Sequence, residues 1–112
     1  MNVYPSISAV VPTRDRPELL RAAVTAIVAQ DYPAPVEVVI VFDQSEPDEE
    51  LASLSRPQRT VRVIRNTRTP GLAGARNSGS LAAGGELIAF CDDDDEWLPG
   101  KLRAPAEALA AA

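Results

Sequence analysis

The sequence contains no histidine, and this absence removes several classes of active site. A Ser-His-Asp triad, a His–Cys pair and a histidine-ligated zinc site are all excluded within this chain. The one cysteine, Cys91, cannot form an internal disulfide. Because it stands in an apolar stretch, we expect a buried and inert thiol.

Basic blocks, aromatic residues and long apolar runs are also lacking. The net charge is −5 and 4% of the residues are aromatic, which argues against a nucleic-acid surface. No apolar run approaches the ~18 residues of a membrane span, and the N-terminus lacks the apolar region of a signal peptide. We therefore expect a cytoplasmic protein with no transmembrane segment, or alternatively one at the membrane periphery.

The residues that are present suit one small domain over residues 1–112, with 46% hydrophobic and 24% charged residues. Strands are predicted at 7–11, 36–42, 60–65 and 87–91. Helices are predicted at 15–28, 73–83 and 98–111, with a short one inside the acidic loop 46–55. This order implies an α/β fold with a mostly parallel, four-stranded, Rossmann-like sheet and helices on both faces.

Four local features of these elements follow from the sequence. Pro12 should end the first strand, because proline cannot donate to a ladder. Asp15 should cap the first helix, with Glu18 three residues further on. The last strand should be buried, since Leu87 to Cys91 is almost wholly apolar. Pro105 should disturb the last helix.

Polar residues follow three of the predicted strands, and open α/β sheets bind ligands beyond the carboxyl ends of their strands. The polar clusters are Thr13 to Asp15, Asp43 with Ser45, and Asp92 to Asp95. Their convergence at one edge of the sheet predicts a binding site there.

The four consecutive aspartates of the run 92–95 favour a metal site. Four ionised carboxylates repel each other unless water or a cation offsets the charge. Mg²⁺ is usually held by one or two carboxylates together with substrate phosphates. The alternative is a solvated acidic turn whose last aspartate caps the next helix.

The remaining candidates each have a structural alternative. Asp43 could accept a hydrogen bond from a sugar hydroxyl or a base, or it could be a turn residue. The glycine-rich loop 71–79 could present backbone N–H groups to a phosphate, with Arg76 as a bidentate partner. Arg14 could approach a diphosphate or base, or lie on the surface. Trp97 could form a wall of the site, but we expect it to pack under the last helix.

Taken together, these segments resemble family 2 glycosyltransferases. The resemblance rests on the Pro-Thr start in 8–17, on Gln30 to Pro33, on 37–43, on 71–79 and on the run 85–99 with its Asp-Asp-Asp-Asp-Glu-Trp-Leu-Pro. It implies the GT-A fold and an inverting transfer of a sugar from a nucleoside-diphosphate sugar, with a UDP-sugar favoured. It also implies Mn²⁺ or Mg²⁺ as cofactor, and an acceptor that stays unknown.

The resemblance also implies roles for single residues. Asp94 matches the best metal ligand, and Asp92 and Asp93 lie near the ribose, the donor sugar and the metal. The predicted metal ligands are thus Asp94 and Asp92, and the predicted nucleotide-binding residues are Pro12, Thr13, Arg14, Asp43, Arg76, Asp92 and Asp93.

This chain departs from the family pattern at two places and in length. The family usually has Tyr-Asn at Arg14-Asp15 and Asp-Asp-Gly-Ser at 42–45, positions that stack on the base and select it. The family's catalytic domain also continues beyond this length with the acceptor site and the general base. We therefore expect a truncated GT-A domain that self-associates through exposed apolar surface. A non-catalytic nucleotide-sugar-binding or interaction module, or a metal-dependent nucleotidyltransferase, is the alternative.

Overall fold

The computed structural model describes residues 4–111, so the outermost positions of the predicted 1–112 domain lie outside the described residues. One sheet holds four parallel strands in the order β3-β2-β1-β4. The elements in chain order are β1 (Ile7–Thr13), α1 (Pro17–Val28), β2 (Val36–Phe42), a 3₁₀ helix (Glu49–Leu54), β3 (Arg59–Arg65), α2 (Leu72–Ala82), β4 (Leu87–Phe90) and α3 (Arg103–Ala111). The predicted α/β class and the short helix in the acidic loop are confirmed.

Helices cover both faces of the sheet, as predicted. Alternate residues of β1 and β2 point to opposite faces, and both strands are buried almost throughout. The larger core packs α1 and α3 against one face, and the smaller core packs α2 against Val10, Val39 and Val41 on the other. β3 lies at one edge of the sheet, where its polar flank faces solvent.

Helix α2 approaches the sheet closely because of Gly79. A Cβ atom at this position would lie 2.2 Å from Val10 Cγ1 and 3.0 Å from Val41 Cγ2. Such contacts are too short for a real side chain, so the glycine sets the distance between helix and sheet. The N-terminus of α2 lies at the carboxyl end of the strands, because α2 follows the end of β3.

Strand β1 does not end at Pro12 but continues to Thr13, which corrects the prediction. Val10 O accepts a hydrogen bond from Cys91 N on the β4 side, and Pro12 faces the same side two residues further on. Because β4 has ended there, no neighbouring strand needs the N–H that proline lacks. The extension carries Thr13 to the edge of the sheet.

The N-cap of helix α1 lies one residue later than predicted. Arg16 is the N-cap residue, no side chain caps the helix, and Asp15 adopts a left-handed φ of 52°. Pro17 fixes this start, because proline fits the first helical position and lacks the N–H that would go unpaired there. The prediction that Asp15 caps the helix is therefore wrong.

Helix α3 begins at Arg103, later than the predicted start at Leu98. Gln30 holds the intervening backbone: its side chain donates to Leu98 O at 2.7 Å and accepts from Leu102 N at 3.0 Å. Pro105 falls in the first turn of the shorter helix, where backbone N–H groups have no intrahelical acceptor. The expectation that Pro105 disturbs this helix is therefore wrong.

Strand β4 is not buried, although its sequence is apolar. Leu87, Ile88 and Phe90 are 38%, 43% and 47% exposed. The strand pairs with β1 on one side and forms the edge of the sheet on the other. An apolar run indicates that a strand can be buried, but here the described residues supply no element to cover it.

Candidate functional site

A cleft of about 430 Å³ opens at the carboxyl ends of β1, β2 and β4. Three predicted polar clusters meet in it, as the sheet topology requires. Its lining residues are Pro12, Thr13, Arg14, Arg16, Asp43, Leu72, Ala75, Asp92, Asp93 and Asp94. All of the predicted metal ligands and nucleotide-binding residues except Arg76 line the cleft, whereas Asp15, Ser45 and Asp95 of the polar clusters do not.

Asp93 is the fixed member of the acidic run. It is 8% exposed, and its Oδ2 accepts a 2.9 Å hydrogen bond from the Thr13 hydroxyl. Its Oδ1 lies 3.3 Å from Arg16 Nη1. Both carboxylate oxygens therefore have protein partners, which orient the side chain before any ligand arrives.

Asp92 and Asp94 are exposed at the rim of the cleft. Asp94 Oδ2 lies 3.5 Å from Arg16 Nη1, and Asp92 Oδ1 lies 3.8 Å from Arg76 Nη2. Within residues 4–111, no three acidic, cysteine or histidine side chains are grouped closely enough to hold a metal by themselves. A cation held here would need one or two of these carboxylates, with phosphate and water completing its shell.

The alternative interpretation of the acidic run, a solvated turn whose last aspartate caps the next helix, is partly wrong. Asp95 N donates to Asp92 O at 3.1 Å, so the run does form a turn. Its last aspartate caps no helix, because α3 begins only at Arg103.

Asp43 lies on the other side of the cleft and is 7% exposed. Its Oδ1 accepts from Asn66 Nδ2 at 3.0 Å, and its Oδ2 accepts from Gly71 N at 3.0 Å and Gln44 Nε2 at 3.1 Å. The bond from Asn66 is the largest influence that lowers the pKa of Asp43 below its ordinary value, and the bonds from Gln44 and Gly71 and the charge of Arg14 add to it against the opposing effect of burial. Asp43 is therefore an ionised acceptor that ties the loop before α2 to the end of β2.

Gly71 is the N-cap of α2, with a φ of 111° that favours glycine. Its N–H points to Asp43, so this amide of the glycine-rich loop already has a carboxylate partner. The next turn of α2 places Leu72 and Ala75 in the cleft wall. The loop thus contributes an apolar wall, whereas its predicted contact with phosphate stays a prediction.

Arg76 lies beside the cleft at the exposed end of β4. Its guanidinium stacks over the Phe90 ring at 5.5 Å from the centroid, while its Nε is buried without a hydrogen-bond partner. Its Nη2 atom faces Asp92. This arrangement keeps a positive charge next to the acidic run.

Sequence reasoning missed Arg16 and Asn66. Arg16 contacts two aspartates of the run, and Asn66 is the main partner of Asp43. Both follow strands at the same sheet edge, so the rule that located the site could have found them. Arg16 was not recognised because the sequence predicts Asp15 as the cap of α1, which would place Arg16 inside the helix.

Two residues near the site have the purely structural roles that the sequence predicts. Trp97 is buried in the same core as Leu102 and Ala106 and so packs under α3. Cys91 is buried, and desolvation, with the charges of Asp95 and Asp92, raises its pKa to about 12. Neither residue lines the cleft.

The family model for Glycosyl transferase family 2 matches residues 8–111 of this chain. The chain belongs to this family. A β-1,3-glucosyltransferase of Campylobacter jejuni that acts on GalNAc(5)-diNAcBac-PP-undecaprenol is 34% identical over 88% of the chain and 32% of its own length. The Escherichia coli enzyme WfgD, a UDP-Glc:α-D-GlcNAc-diphosphoundecaprenol β-1,3-glucosyltransferase, is 29% identical over 86% of the chain and 38% of its own length.

Solved structures of glycosyltransferases give the same fold. Staphylococcus aureus TarS (residues 1–349) bound to UDP-GlcNAc is 27% identical with a TM-score of 0.76, covering 95% of this chain and 31% of that one. The mannosyltransferase PcManGT from Pyrobaculum calidifontis, in complex with GDP-Man and Mn²⁺, is 27% identical with a TM-score of 0.72 and covers 96% and 32%. The fold is therefore GT-A, and the chain spans about a third of the length of its relatives.

Proposed function

We propose that this chain forms the donor-binding part of an inverting, metal-dependent glycosyltransferase that uses a nucleoside-diphosphate sugar. The observation that carries this proposal is one cleft with an ionised Asp43 on one side and Asp92 to Asp94 on the other. A nucleoside diphosphate has matching groups, since its base and ribose donate hydrogen bonds and its diphosphate pairs with a cation. The family relatives and the nucleotide-sugar complexes of its solved neighbours support this reading.

The acidic run suits Mn²⁺ or Mg²⁺ as cofactor. Hard cations prefer oxygen ligands, and Asp94 and Asp92 present exposed carboxylates at the rim. Asp93 would contribute less directly, because Thr13 and Arg16 already engage it. When bound, the ion would neutralise the diphosphate as it departs.

The other residues would bind and orient the nucleotide. Asp43 would accept a hydrogen bond from the base or ribose through a lone pair that its protein partners leave open. Pro12 and Thr13 would contact the nucleotide along the end of β1. Arg14 and Arg76 would place positive charge near the diphosphate. We assign no catalytic base among the described residues.

We favour a uridine donor, since WfgD is named for UDP-Glc and TarS was solved with UDP-GlcNAc. The neighbour bound to GDP-Man makes guanosine the next nucleoside to examine. The acceptor is left open. Two relatives act on undecaprenol-linked diphosphates, so we propose a cytoplasmic location at the membrane periphery. Among residues 4–111, no helix has the length and apolar character to cross a membrane.

A non-catalytic binding module is the second candidate. Such a module would use the same cleft to bind the nucleotide sugar without transferring it. Sugar transfer by the chain alone would rule it out. No observation favours a nucleotidyltransferase.

Calorimetric titration of UDP, with Mn²⁺ and then with EDTA, tests the proposal. We expect binding only with the metal, and Asp94→Asn should weaken it by about tenfold or more, as loss of a metal-site residue does. Glu96→Gln is the matched control, because it removes the same charge two residues away. Equal affinity in Asp94→Asn and the wild type would overturn the metal assignment, and a folded chain that binds neither UDP nor GDP would overturn the function.

A further inference from the structure

Arg16 is the one arginine that contacts two aspartates of the acidic run within residues 4–111. Its Nη1 atom lies 3.3 Å from Asp93 Oδ1 and 3.5 Å from Asp94 Oδ2. The side chain of Asp93 is 10% exposed, whereas those of Arg16 and Asp94 are 52% and 54% exposed. One end of this bridge is therefore anchored and the other lies in water.

The backbone aims Arg16 at the cleft. Asp15 turns the chain through a left-handed φ of 52°, and Pro17 starts α1 immediately afterwards. Arg16 O accepts the hydrogen bond from Leu20 N at 2.9 Å, so the N-cap residue is tied to the first turn of the helix. The backbone is fixed while the long side chain remains free to change partner.

The position of the guanidinium conflicts with a divalent cation. A cation on Asp94 would lie close to the Nη1 atom, and like charges at such short range repel each other even where both groups are partly exposed. A donor diphosphate, in contrast, offers oxygen atoms that suit the bidentate geometry of arginine. Arg16 already lines the same cleft as the proposed diphosphate position.

We propose that Arg16 is a stand-in cation: it neutralises Asp93 and Asp94 while the metal is absent, and it transfers to the donor diphosphate when the metal binds. This inference rests on the proposed function. It assigns Arg16 two opposite effects, since the guanidinium opposes the metal in the free chain and favours the nucleotide once the metal is present. A residue that merely stabilises the fold would not have effects of opposite sign.

The test measures both affinities separately. Binding of Mn²⁺ alone is followed by the electron paramagnetic resonance signal of the free ion, and binding of UDP is followed by calorimetry at saturating Mn²⁺, with GDP used in parallel. The variants are Arg16→Gln, which removes the charge, and Arg16→Lys, which keeps it without the bidentate fork. Arg21→Gln is the matched control, because Arg21 is exposed on the same helix and does not line the cleft.

We expect Arg16→Gln to bind Mn²⁺ about three- to fivefold tighter, the effect of removing one partly exposed charge. The same variant should bind the nucleotide about tenfold more weakly, as loss of a charged hydrogen bond implies. Arg16→Lys should retain the wild-type affinity for Mn²⁺, and Arg21→Gln should change neither value. Circular dichroism of each variant verifies the fold.

Three results would overturn the inference. Unchanged or weaker Mn²⁺ binding in a folded Arg16→Gln variant would show that Arg16 does not oppose the metal. Unchanged nucleotide affinity would show that it does not reach the diphosphate. A wild-type chain that binds no Mn²⁺ by itself would remove this inference, and one that binds no Mn²⁺ even with UDP or GDP present would also remove the proposed function. The first two results leave the function intact.

Discussion

The hydroxyl of Thr13 donates a 2.9 Å hydrogen bond to Asp93 Oδ2 and so joins the ends of β1 and β4. Both residues are buried, at 4% and 8% exposure. β4 has only four residues and forms an edge of the sheet, so this bond extends its attachment beyond the backbone ladder. The acidic run is thereby positioned by the first strand of the chain.

Thr13→Val is expected to destabilise the protein by about 1–3 kcal/mol, because it leaves a buried carboxylate oxygen without its donor in an otherwise unchanged shape. Urea unfolding followed by circular dichroism measures the loss. Thr60→Val serves as control, since Thr60 is an exposed strand residue away from the cleft. Equal stability of the Thr13 variant and the wild type would mean that water replaces the hydroxyl and that the bond does not hold β4.

The order of elements and the edge that carries the site could be predicted from the sequence. Apolar runs and turn residues define the strands of a parallel sheet, and the sheet topology brings their polar ends together. Asp43, Thr13 and the acidic run were found for this reason. The resemblance to the family supplied the proposed roles, which the topology alone could not.

Contacts between distant residues could not be predicted in this way. Gln30 delays the start of α3 by hydrogen bonding to the backbone at Leu98 and Leu102. The residue pattern around α3 cannot reveal a partner so far away in the sequence. The exposure of β4 depends on what lies beside it, whereas its sequence reports only that it is apolar. Arg16 was missed because Pro17, rather than Asp15, decides where α1 begins.

Glu37 gives the fold a dependence on pH at the opposite end of the sheet. Its carboxylate accepts hydrogen bonds from Arg62 Nη1 at 2.6 Å, Ser8 Oγ at 2.7 Å and Gly84 N at 2.9 Å. Burial alone would raise the pKa of Glu37, but these bonds outweigh it and lower the pKa below 4.5. A lowered pKa in the folded state means that the ionised form stabilises the fold above the unfolded value and that this stability disappears as the pH falls.

We therefore expect the free energy of unfolding to decrease as the pH falls below about 4.5, and Glu37→Gln to weaken that decrease. At neutral pH the variant should be less stable than the wild type by about 1–3 kcal/mol, because it loses an ionised acceptor. Urea unfolding at a series of pH values provides the comparison, with the exposed Glu49→Gln as control. Parallel pH profiles for Glu37→Gln and the wild type would contradict this role.

Exposed apolar residues on β4 predict self-association of the chain. Leu87, Ile88 and Phe90 are each more than a third exposed, and the outer edge of β4 has no paired strand among the described residues. An unpaired apolar edge favours pairing with another strand, and a second copy of the chain offers the same edge. A chain that does not associate should instead be marginally stable, since this surface then stays in water.

Ile88→Lys should raise the dissociation constant of the self-associated form by about tenfold or more, because a charged side chain on an edge strand opposes pairing. Sedimentation velocity over a range of concentrations measures this change. Leu109→Lys is the matched control: Leu109 is 64% exposed on α3, away from the sheet edge. A wild-type chain that stays monomeric at high concentration and unfolds cooperatively at ordinary temperatures would contradict the prediction. Equal dissociation constants for Ile88→Lys and Leu109→Lys would place the contact elsewhere on the surface.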